Sequence, residues 1–559
     1  MSIKTQSPPE VSASERLARF DARLARVEAH LGLSAEASPP HVEVNHPAEA
    51  SPEALIAPSA RSEDELEFQV GQNWFAIVGI VVLAAGLGFT LTLPYTSLPA
   101  AVPGLIGYAL AVGLFVVAHV WRKSFELLAG YLRGAGIALL TFATLRLFFF
   151  GTQHVFSTER WDGRALLLAV VSLNLGIAWR RKSPWLFGLA LVSGGAMALA
   201  VGSAGFALPL FLGLVALAVL GSVRAGWPVI VPAAIIPAFA TYFLWAINDP
   251  LLGRPVHVMP GPPAALAFLL AGMGLFAVGT LRRAQREKED AVPIAAALLN
   301  CGAGYAVFLM HSAVAFQHIF VAANLVASAV FLVIAVAFWL REQSRISTFV
   351  YAMTGYMALS MAILKAAPVP DVFVWLSLQS VLVVATAIWF RSPFIVVANF
   401  LIYTGIVLTY VVVAKSENGI SLGFGLVALV SARILKLKQE RLELKSELMR
   451  NAYLLSAFII FPYALYHLVP GRYAGLAWVG VALLYYAMNL LIRNQKYRWM
   501  GHGTLLLTAL YLVIVGASRF EPLYRNLSFL VLGSVLVAVS VVFTQLRRKR
   551  PPTDGEKSE

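Results

Sequence analysis

Two arginines lie inside a long apolar stretch of the chain, where a charged side chain can do chemistry that its neighbours cannot. Arg133 lies between Gly130 and Gly134, and Arg146 follows towards the far end of the same stretch. A charge within a membrane span is costly and marks a functional candidate. Arg133 either binds an anionic headgroup or phosphate inside a helical bundle or extends to the membrane surface, which is called snorkelling. For Arg146, the weaker binding candidate, the sequence favours snorkelling.

The residues around Arg133 also predict a close contact between helices. Gly130, Gly134 and Gly136 follow the spacing Gly-x-x-x-Gly-x-Gly. Small residues at such a spacing let the backbones of two membrane helices approach each other. We therefore expect these glycines to be helix-packing positions.

The loop that follows carries the candidates for catalysis, which are His154, Glu159 and Asp162. A carboxylate and an imidazole held close together can act as an acid–base pair or bind a metal. Membrane glycosyltransferases that use polyprenyl-linked sugars also place acidic residues in outer loops. A transferase function is therefore an alternative for this chain. A solvated loop with no catalytic role is the favoured alternative.

Other features of the sequence exclude several kinds of site. Cys301 is the only cysteine, so the chain has no internal disulfide and no cysteine cluster for a metal. The motifs of P-loop ATPases, His-Glu-x-x-His metalloproteases and Gly-x-Ser-x-Gly hydrolases are missing. No carboxylate falls near the middle of an apolar stretch, which counts against a carboxylate-driven transporter. We expect no metal and no cofactor.

Uncharged polar residues do occur within the apolar stretches. Most of them are expected to hydrogen-bond a neighbouring helix, while a minority can line a polar path. They are Asn174, Asn300, Asn324, Gln379, Asn399 and Asn489.

The composition predicts the elements that hold these residues. The 559 residues are 59% hydrophobic and 13% charged, whereas about 25% of residues are charged in a typical soluble domain. A helix needs about 20 apolar residues to span a membrane, and eighteen such segments lie between Asn73 and Gln545. The expected fold is therefore an all-α polytopic membrane protein with about 18 transmembrane helices. Segment 228–247 contains three prolines, which predict a kinked or partly broken helix.

The basic residues predict the orientation of the chain. With the N-terminus inside, 26 Lys and Arg fall in inward connections and eight in outward ones, outside residues 1–72. Such a bias is typical of cytoplasmic loops, so both termini are expected in the cytoplasm. Because the basic residues are scattered between apolar segments, we expect no nucleic-acid partner.

The N-terminal 72 residues are polar and differ from the rest. Residues 1–33 are expected to form a cytoplasmic amphipathic helix with a coiled-coil-like seam over 13–33. That helix either rests on the membrane or the protein itself, or mediates self-association or docking of a protein partner. Residues 34–72, rich in Pro, Ala and Glu, predict a flexible tether.

The rest of the chain is assigned to the membrane domain, 73–545, and a cytoplasmic tail, 546–559. Within the membrane domain, residues 436–450 alternate charges with leucines at helical spacing. This pattern predicts an amphipathic helix along the inner membrane surface.

Two segments of the sequence resemble a known family. The run Gly71-Gln72-Asn73-Trp74 leads into an apolar helix, and a second run reads Leu127-Leu128-Ala129-Gly130-Tyr131-Leu132-Arg133-Gly134-Ala135-Gly136. Over about residues 71–150 the chain resembles the domain-of-unknown-function 2339 family. The resemblance implies a bacterial inner-membrane protein with many spans and a cytoplasmic N-terminal coil. The family has no established activity, so no catalytic residue carries over.

Three functions are compatible with these features. The favoured one is transport or flipping of a lipid-like or cell-envelope precursor, with Arg133 meeting a phosphate. The second is a non-catalytic scaffold for envelope assembly, which docks proteins through 13–33 and 436–450. The third is a membrane-embedded transferase that acts on a lipid-linked substrate. Membrane lipids are the expected partners, and the bacterial inner (cytoplasmic) membrane is the expected location.

Overall fold

The computed structural model describes residues 75–93, 95, 98–150, 155–281, 291–341, 344–413, 419–437, 446–516 and 521–548. All of them belong to one of the two compact units of the chain, Phe75–Glu559, and the other unit is Met1–Trp74. The expected N-terminal helix and tether therefore lie outside the described residues. The same holds for 438–445 of the inner amphipathic segment and for most of the C-terminal tail.

The described residues form helices and no strand. In chain order the helices are α1 (Phe75–Thr92), α2 (Val102–Val120), α3 (Glu126–Phe149), α4 (Trp161–Arg180), α5 (Pro184–Val201), α6 (Ala204–Arg224), α7 (Ile230–Ala246), α8 (Ala264–Leu281), α9 (Ala291–Ala315), α10 (Phe320–Leu340), α11 (Arg345–Ala366), α12 (Val372–Trp389), α13 (Pro393–Val413), α14 (Ile420–Leu437), α15 (Ser446–Leu468), α16 (Gly471–Ile492), α17 (Gln495–Gly516) and α18 (Pro522–Arg548).

Sixteen of the described helices are long and apolar enough to cross a membrane. The apolar parts of α1 and α7 are shorter, at Val78–Leu91 and Ile230–Ala246. The expected all-α, multi-pass architecture is confirmed, and the proline-rich segment 228–247 is helical over α7. Eighteen crossings and the orientation of the termini stay predictions.

Two helices depart from regular α-helical geometry within the membrane region. α9 widens into a π-helix at Asn300–Gly304, and α17 does so at Leu512–Gly516. A π-helix places its hydrogen bonds between residues five apart, so each such turn takes up extra chain. Residues before and after the turn in α9 therefore face different neighbours.

Most of the helices pack around one large apolar core, and two smaller apolar clusters lie at α1–α3 and at α16–α18. α3 lies against α1, α2, α4 and α5; farther along, α10 pairs with α11, α14 with α15, and α16 with α17. On the outer faces of the bundle, large apolar side chains such as Phe89, Leu105 and Val412 stay exposed. Such faces suit contact with lipid, where no polar group is needed.

Tyrosines form an unusual share of the core. The largest fully buried side chains include Tyr242, Tyr305, Tyr351, Tyr403, Tyr410, Tyr453 and Tyr485. Buried hydroxyl groups need hydrogen-bond partners, and several of these bond to another helix. Tyr305 of α9 donates to Asn324 Oδ1 of α10 at 3.0 Å, and Tyr403 of α13 donates to the carbonyl of Phe424 of α14 at 2.7 Å. The hydroxyls therefore join neighbouring helices.

A glycine outside the Gly-x-x-x-Gly-x-Gly run makes a close contact between α2 and α3. A Cβ added to Gly107 would lie 2.7 Å from the Cβ of Ala143 and 2.8 Å from Leu91 Cδ1. Two Cβ atoms cannot approach so closely, and neither can rotate away from its backbone. Only a glycine lets α2 and α3 pack at this distance.

We expect Gly107→Ala to destabilise the protein by about 1–3 kcal/mol, because α2 and α3 would have to move apart. Gly113→Ala on the same helix is the control, since a Cβ there meets nothing within 4 Å. Thermal unfolding of the purified full-length protein in detergent measures both variants. A midpoint for Gly107→Ala that matches or exceeds that of Gly113→Ala would contradict this packing.

Candidate functional site

Arg133 lies in the second turn of α3 and is half-buried. Its Nη2 donates to the carbonyl oxygen of Ala118, 3.2 Å away in the last turn of α2. Carbonyl groups in the last turn of a helix run out of helical N–H partners, and a cation is favoured at that end of the helix dipole. Arg133 therefore caps α2, and its binding of a phosphate stays a prediction.

Arg146 lies in the last turn of α3, and only 3% of its side chain is exposed. Its Nη2 donates to the carbonyl oxygen of Leu93 at 2.9 Å, and its guanidinium carbon lies 5.7 Å from the centre of the Tyr95 ring. The end of α1 and the chain after it thus cover the arginine. Snorkelling to the surface is therefore wrong for Arg146.

The three glycines near Arg133 differ in their surroundings. A Cβ on Gly134 would lie 2.5 Å from a ring carbon of Trp185 on α5, and one on Gly136 would lie 2.9 Å from Phe115 on α2. A Cβ on Gly130 would meet nothing within 4 Å. The structure gives close helix contacts to Gly134 and Gly136, and the expectation is wrong for Gly130.

Of the two carboxylates proposed for catalysis, Asp162 lies in the first turn of α4 and Glu159 in the loop before it. Asp162 Oδ1 accepts from the backbone N–H of Gly163 at 2.8 Å, and Oδ2 pairs with Arg160 Nη2 at 3.2 Å. Glu159 is exposed. His154 lies outside the described residues, so no acid–base pair with it can be drawn.

No group of three or more His, Cys, Asp or Glu within the described ranges could hold a metal ion. His311, buried in α9, has its Nδ1 2.9 Å from the hydroxyl of Tyr242 on α7. Its Nε2 lies 3.4 Å from the carbonyl oxygen of Met259 in the loop before α8. The imidazole therefore joins two helices and a loop.

The same loop carries a buried carboxylate. Asp249 is 2% exposed, and its Oδ1 has no hydrogen-bond partner. Burial raises the pKa of Asp249 above its usual value, although Arg254 and the backbone N–H of Leu251 act in the opposite direction. The fold therefore shifts the equilibrium of Asp249 towards its protonated form relative to the unfolded chain.

The described ends of the inner amphipathic segment belong to two helices, residues 436–437 to α14 and residues 446–450 to α15. Arg450 Nη2 pairs with Glu447 Oε1 at 3.0 Å, and Lys496 Nζ of α17 lies 3.6 Å from the same oxygen. The pair with Lys496 links the start of α15 to the start of α17, whereas the pair with Arg450 lies within α15. Residues 438–445 of the segment lie outside the described residues.

A cavity between α11, α12 and α13 is a site that the motifs did not indicate. It has a volume of about 350 Å³. Most of its exposed wall is apolar, formed by side chains such as Leu376 and Val383, and uncharged polar residues form the smaller part. The polar lining consists of Thr354, Tyr356, Ser360, Gln379, Ser380 and Asn399.

Two side-chain amides organise the polar wall of this cavity. Gln379 Nε2 donates to the carbonyl of Tyr356 at 2.8 Å, and its Oε1 accepts from Ser360 Oγ at 3.1 Å. These bonds tie α12 to α11. The sequence identifies Gln379 as an amide within a span, but it does not show which helix the amide meets.

The second amide, Asn399 of α13, connects three helices. Its Nδ2 lies 2.8 Å from Ser380 Oγ of α12 and 3.0 Å from the hydroxyl of Tyr453 of α15. Asn399 thus holds the inner wall of the cavity, as expected for an amide that hydrogen-bonds neighbouring helices.

The cavity reaches the side of the bundle. Met357 of α11 and Ile402 of α13 line it and are also 44% and 48% exposed. A separate groove of about 540 Å³ lies between α12 and α14, and its wall is almost wholly apolar. Two mostly apolar recesses therefore flank α12, and the one at α11–α13 also carries side-chain amides and hydroxyls.

Comparison of the chain with family models, with curated proteins and with solved structures finds no match. The resemblance over residues 71–150 therefore stays an expectation. Any assignment of function has to rest on the geometry of the described residues.

We expect the Asn399–Tyr453 bond to couple the two residues energetically. A double-mutant cycle with Asn399→Leu and Tyr453→Phe should give a coupling of about 0.6 kcal/mol, since hydrogen bonds between membrane helices average that value. Thermal or denaturant unfolding in detergent supplies the four stabilities. Additive effects of the two substitutions would show that the bond does not form.

The raised pKa of Asp249 predicts that its charged carboxylate lowers the stability of the folded protein, and that this effect depends on pH. Because the folded pKa lies above the unfolded one, the stabilising effect of protonation is complete below the unfolded pKa, about 3.9, and is lost as pH rises through the folded pKa. Asp249→Asn should therefore be more stable than wild type at pH 7, and the gap should close as pH falls. A gap that widens in acid would contradict the assignment.

Proposed function

We propose that the protein binds a lipid-like molecule, of the class of cell-envelope precursors, in the cavity between α11, α12 and α13. It would move this molecule between the two leaflets of the bacterial inner membrane. The amides and hydroxyls among the residues that line this mostly apolar cavity are the observation that carries the proposal. Hydrocarbon offers a headgroup no hydrogen-bond partner, so a headgroup crosses it at low cost only beside polar groups.

The positions of the polar lining residues along their helices support this function. At 1.5 Å per residue, Asn399 lies about 9 Å from the start of α13, and Ser360 lies about 9 Å from the end of α11. Gln379 lies near the middle of α12. Because α11 and α13 run in the same sense across the membrane under the expected topology, the polar groups span its central part.

The shape of the cavity suits a molecule that stays partly in the bilayer. Its side opening at Met357 and Ile402 faces the lipid-exposed surface of the bundle. A lipid can place its headgroup against the amides and hydroxyls while its acyl chains remain outside. No charged residue is among those that line the cavity, which favours a headgroup rich in hydroxyl or amide groups.

The proposal includes the expected topology. If all eighteen helices cross the membrane, both termini lie on the same side. This side carries most of the basic residues in the connections, so the charge bias assigns it to the cytoplasm. A scaffold role rests largely on residues 13–33, which lie outside the described residues. A transferase role loses support because Asp162 is engaged at the start of α4.

Native mass spectrometry of the full-length protein in mild detergent tests the proposal. We expect a stoichiometric bound lipid with a large polar headgroup. Its occupancy should fall at least tenfold in Met357→Trp/Ile402→Trp, because two indole rings narrow the opening. Leu364→Trp/Leu408→Trp is the matched control, since these residues lie on the same two helices and are 51% and 61% exposed.

Only loosely held bulk phospholipid in the wild type would contradict the proposal, as would equal occupancy in both double variants. A flipping assay follows if the lipid is found. The lipid, carrying a fluorescent acyl chain, is placed in vesicles with the protein, and loss of inner-leaflet fluorescence after external quenching reports movement.

A further inference from the structure

Arg146 is a buried cation without a counter-charge among the described residues. It forms no ion pair with any of them; its guanidinium donates to the carbonyl of Leu93 and lies over the aromatic ring of Tyr95. The C-terminal end of α3 supplies only a partial negative charge. A buried charge that is not matched by an anion is strongly unfavourable, so the protein is built to hold one here.

The hydrogen-bonding capacity of Arg146 supports the same conclusion. Its Nε and Nη1 are buried and have no partner, whereas Nη2 is satisfied by Leu93. One N–H group on Nε and two on Nη1 are therefore free to donate. An anion with several oxygen acceptors, such as a phosphate, can take donors that point in different directions.

The position of the arginine indicates where that phosphate comes from. Arg146 lies about one turn from the end of α3, a helix that is long and apolar enough to cross a membrane. The neighbouring part of α1 exposes Phe89 and Leu93, which are 73% and 52% exposed. Acyl chains can lie along this apolar surface, and the phosphate meets the guanidinium when the end of α1 and Tyr95, which cover it, move aside.

From these observations we infer that Arg146, with Tyr95 and the end of α1, forms a binding site for a phosphate group. The group is either the phosphodiester of a phospholipid or free inorganic phosphate. This site is built by α1 and α3, so it is separate from the cavity at α11–α13 and does not depend on the proposed function.

Thermal unfolding of delipidated full-length protein in detergent tests the site. Three ligands are titrated: phosphatidylglycerol, diacylglycerol and inorganic phosphate. We expect a saturable rise in the unfolding midpoint with phosphatidylglycerol and none with diacylglycerol, which lacks the phosphate. A rise with inorganic phosphate too would show that the free anion suffices.

Two substitutions locate the effect. Arg146→Met should weaken the binding of the phosphate ligand about 10- to 100-fold, since it removes charge-assisted hydrogen bonds. Arg472→Met is the matched control, because Arg472 is an exposed arginine 5.1 Å from the Tyr473 ring at another helix end. Without ligand, Arg146→Met should unfold no earlier than wild type, because it removes an unmatched buried charge.

Three results would overturn the site. The first is that neither phosphatidylglycerol nor phosphate stabilises the wild type. The second is that Arg146→Met responds to the ligand as wild type and Arg472→Met do. The third is that Arg146→Met fails to fold or unfolds much earlier without ligand, since the guanidinium would then be compensated by the protein itself.

Discussion

The bundle depends on one constraint, which is that a polar side chain placed among apolar helices must find its partner inside the protein. Many buried tyrosine hydroxyls and side-chain amides meet this requirement by bonding to each other or to a backbone carbonyl of another helix. Asn300 of α9 donates to the hydroxyl of Tyr351 on α11 and to the carbonyl of Met273 on α8. Because apolar contacts between helices differ little from contacts with lipid, such bonds, together with close backbone packing, decide which helices become neighbours.

The same constraint accounts for the difference between the two parts of the bundle. Around Phe211, where α5 to α8 meet, the cavities hold only about 20 and 10 Å³. Glycines such as Gly195 and Gly272 allow close packing there. Between α11, α12 and α13 the amides of Gln379 and Asn399 occupy the interface instead, and a space of about 350 Å³ remains beside them. Polar bonds hold helices in place without filling the volume that apolar side chains would fill.

The positions of the helices could be predicted from the sequence because hydrophobicity is a local property. Segment 228–247 shows this best, since its apolar residues outweigh its prolines and α7 forms at Ile230–Ala246. The cavity could not be predicted, because its residues come from distant segments: Asn399 and Tyr453 are 54 positions apart. Arg146 was assigned wrongly for the same reason. Its partner Leu93 lies 53 positions away, and no local pattern shows that the chain after α1 covers it.

The π-helical turn of α9 lets this helix accommodate an inserted residue, which a regular α-helix cannot do without rotating its remaining turns. Asn300, at the start of the turn, bonds α8 and α11, whereas Tyr305, just after it, bonds Asn324 of α10. A widened turn absorbs a residue that would otherwise rotate everything beyond it by about a quarter of a revolution. An insertion at this point during evolution would therefore leave both sets of partners aligned. Membrane helices with such a turn can change in length while the loops at their two ends stay where they are.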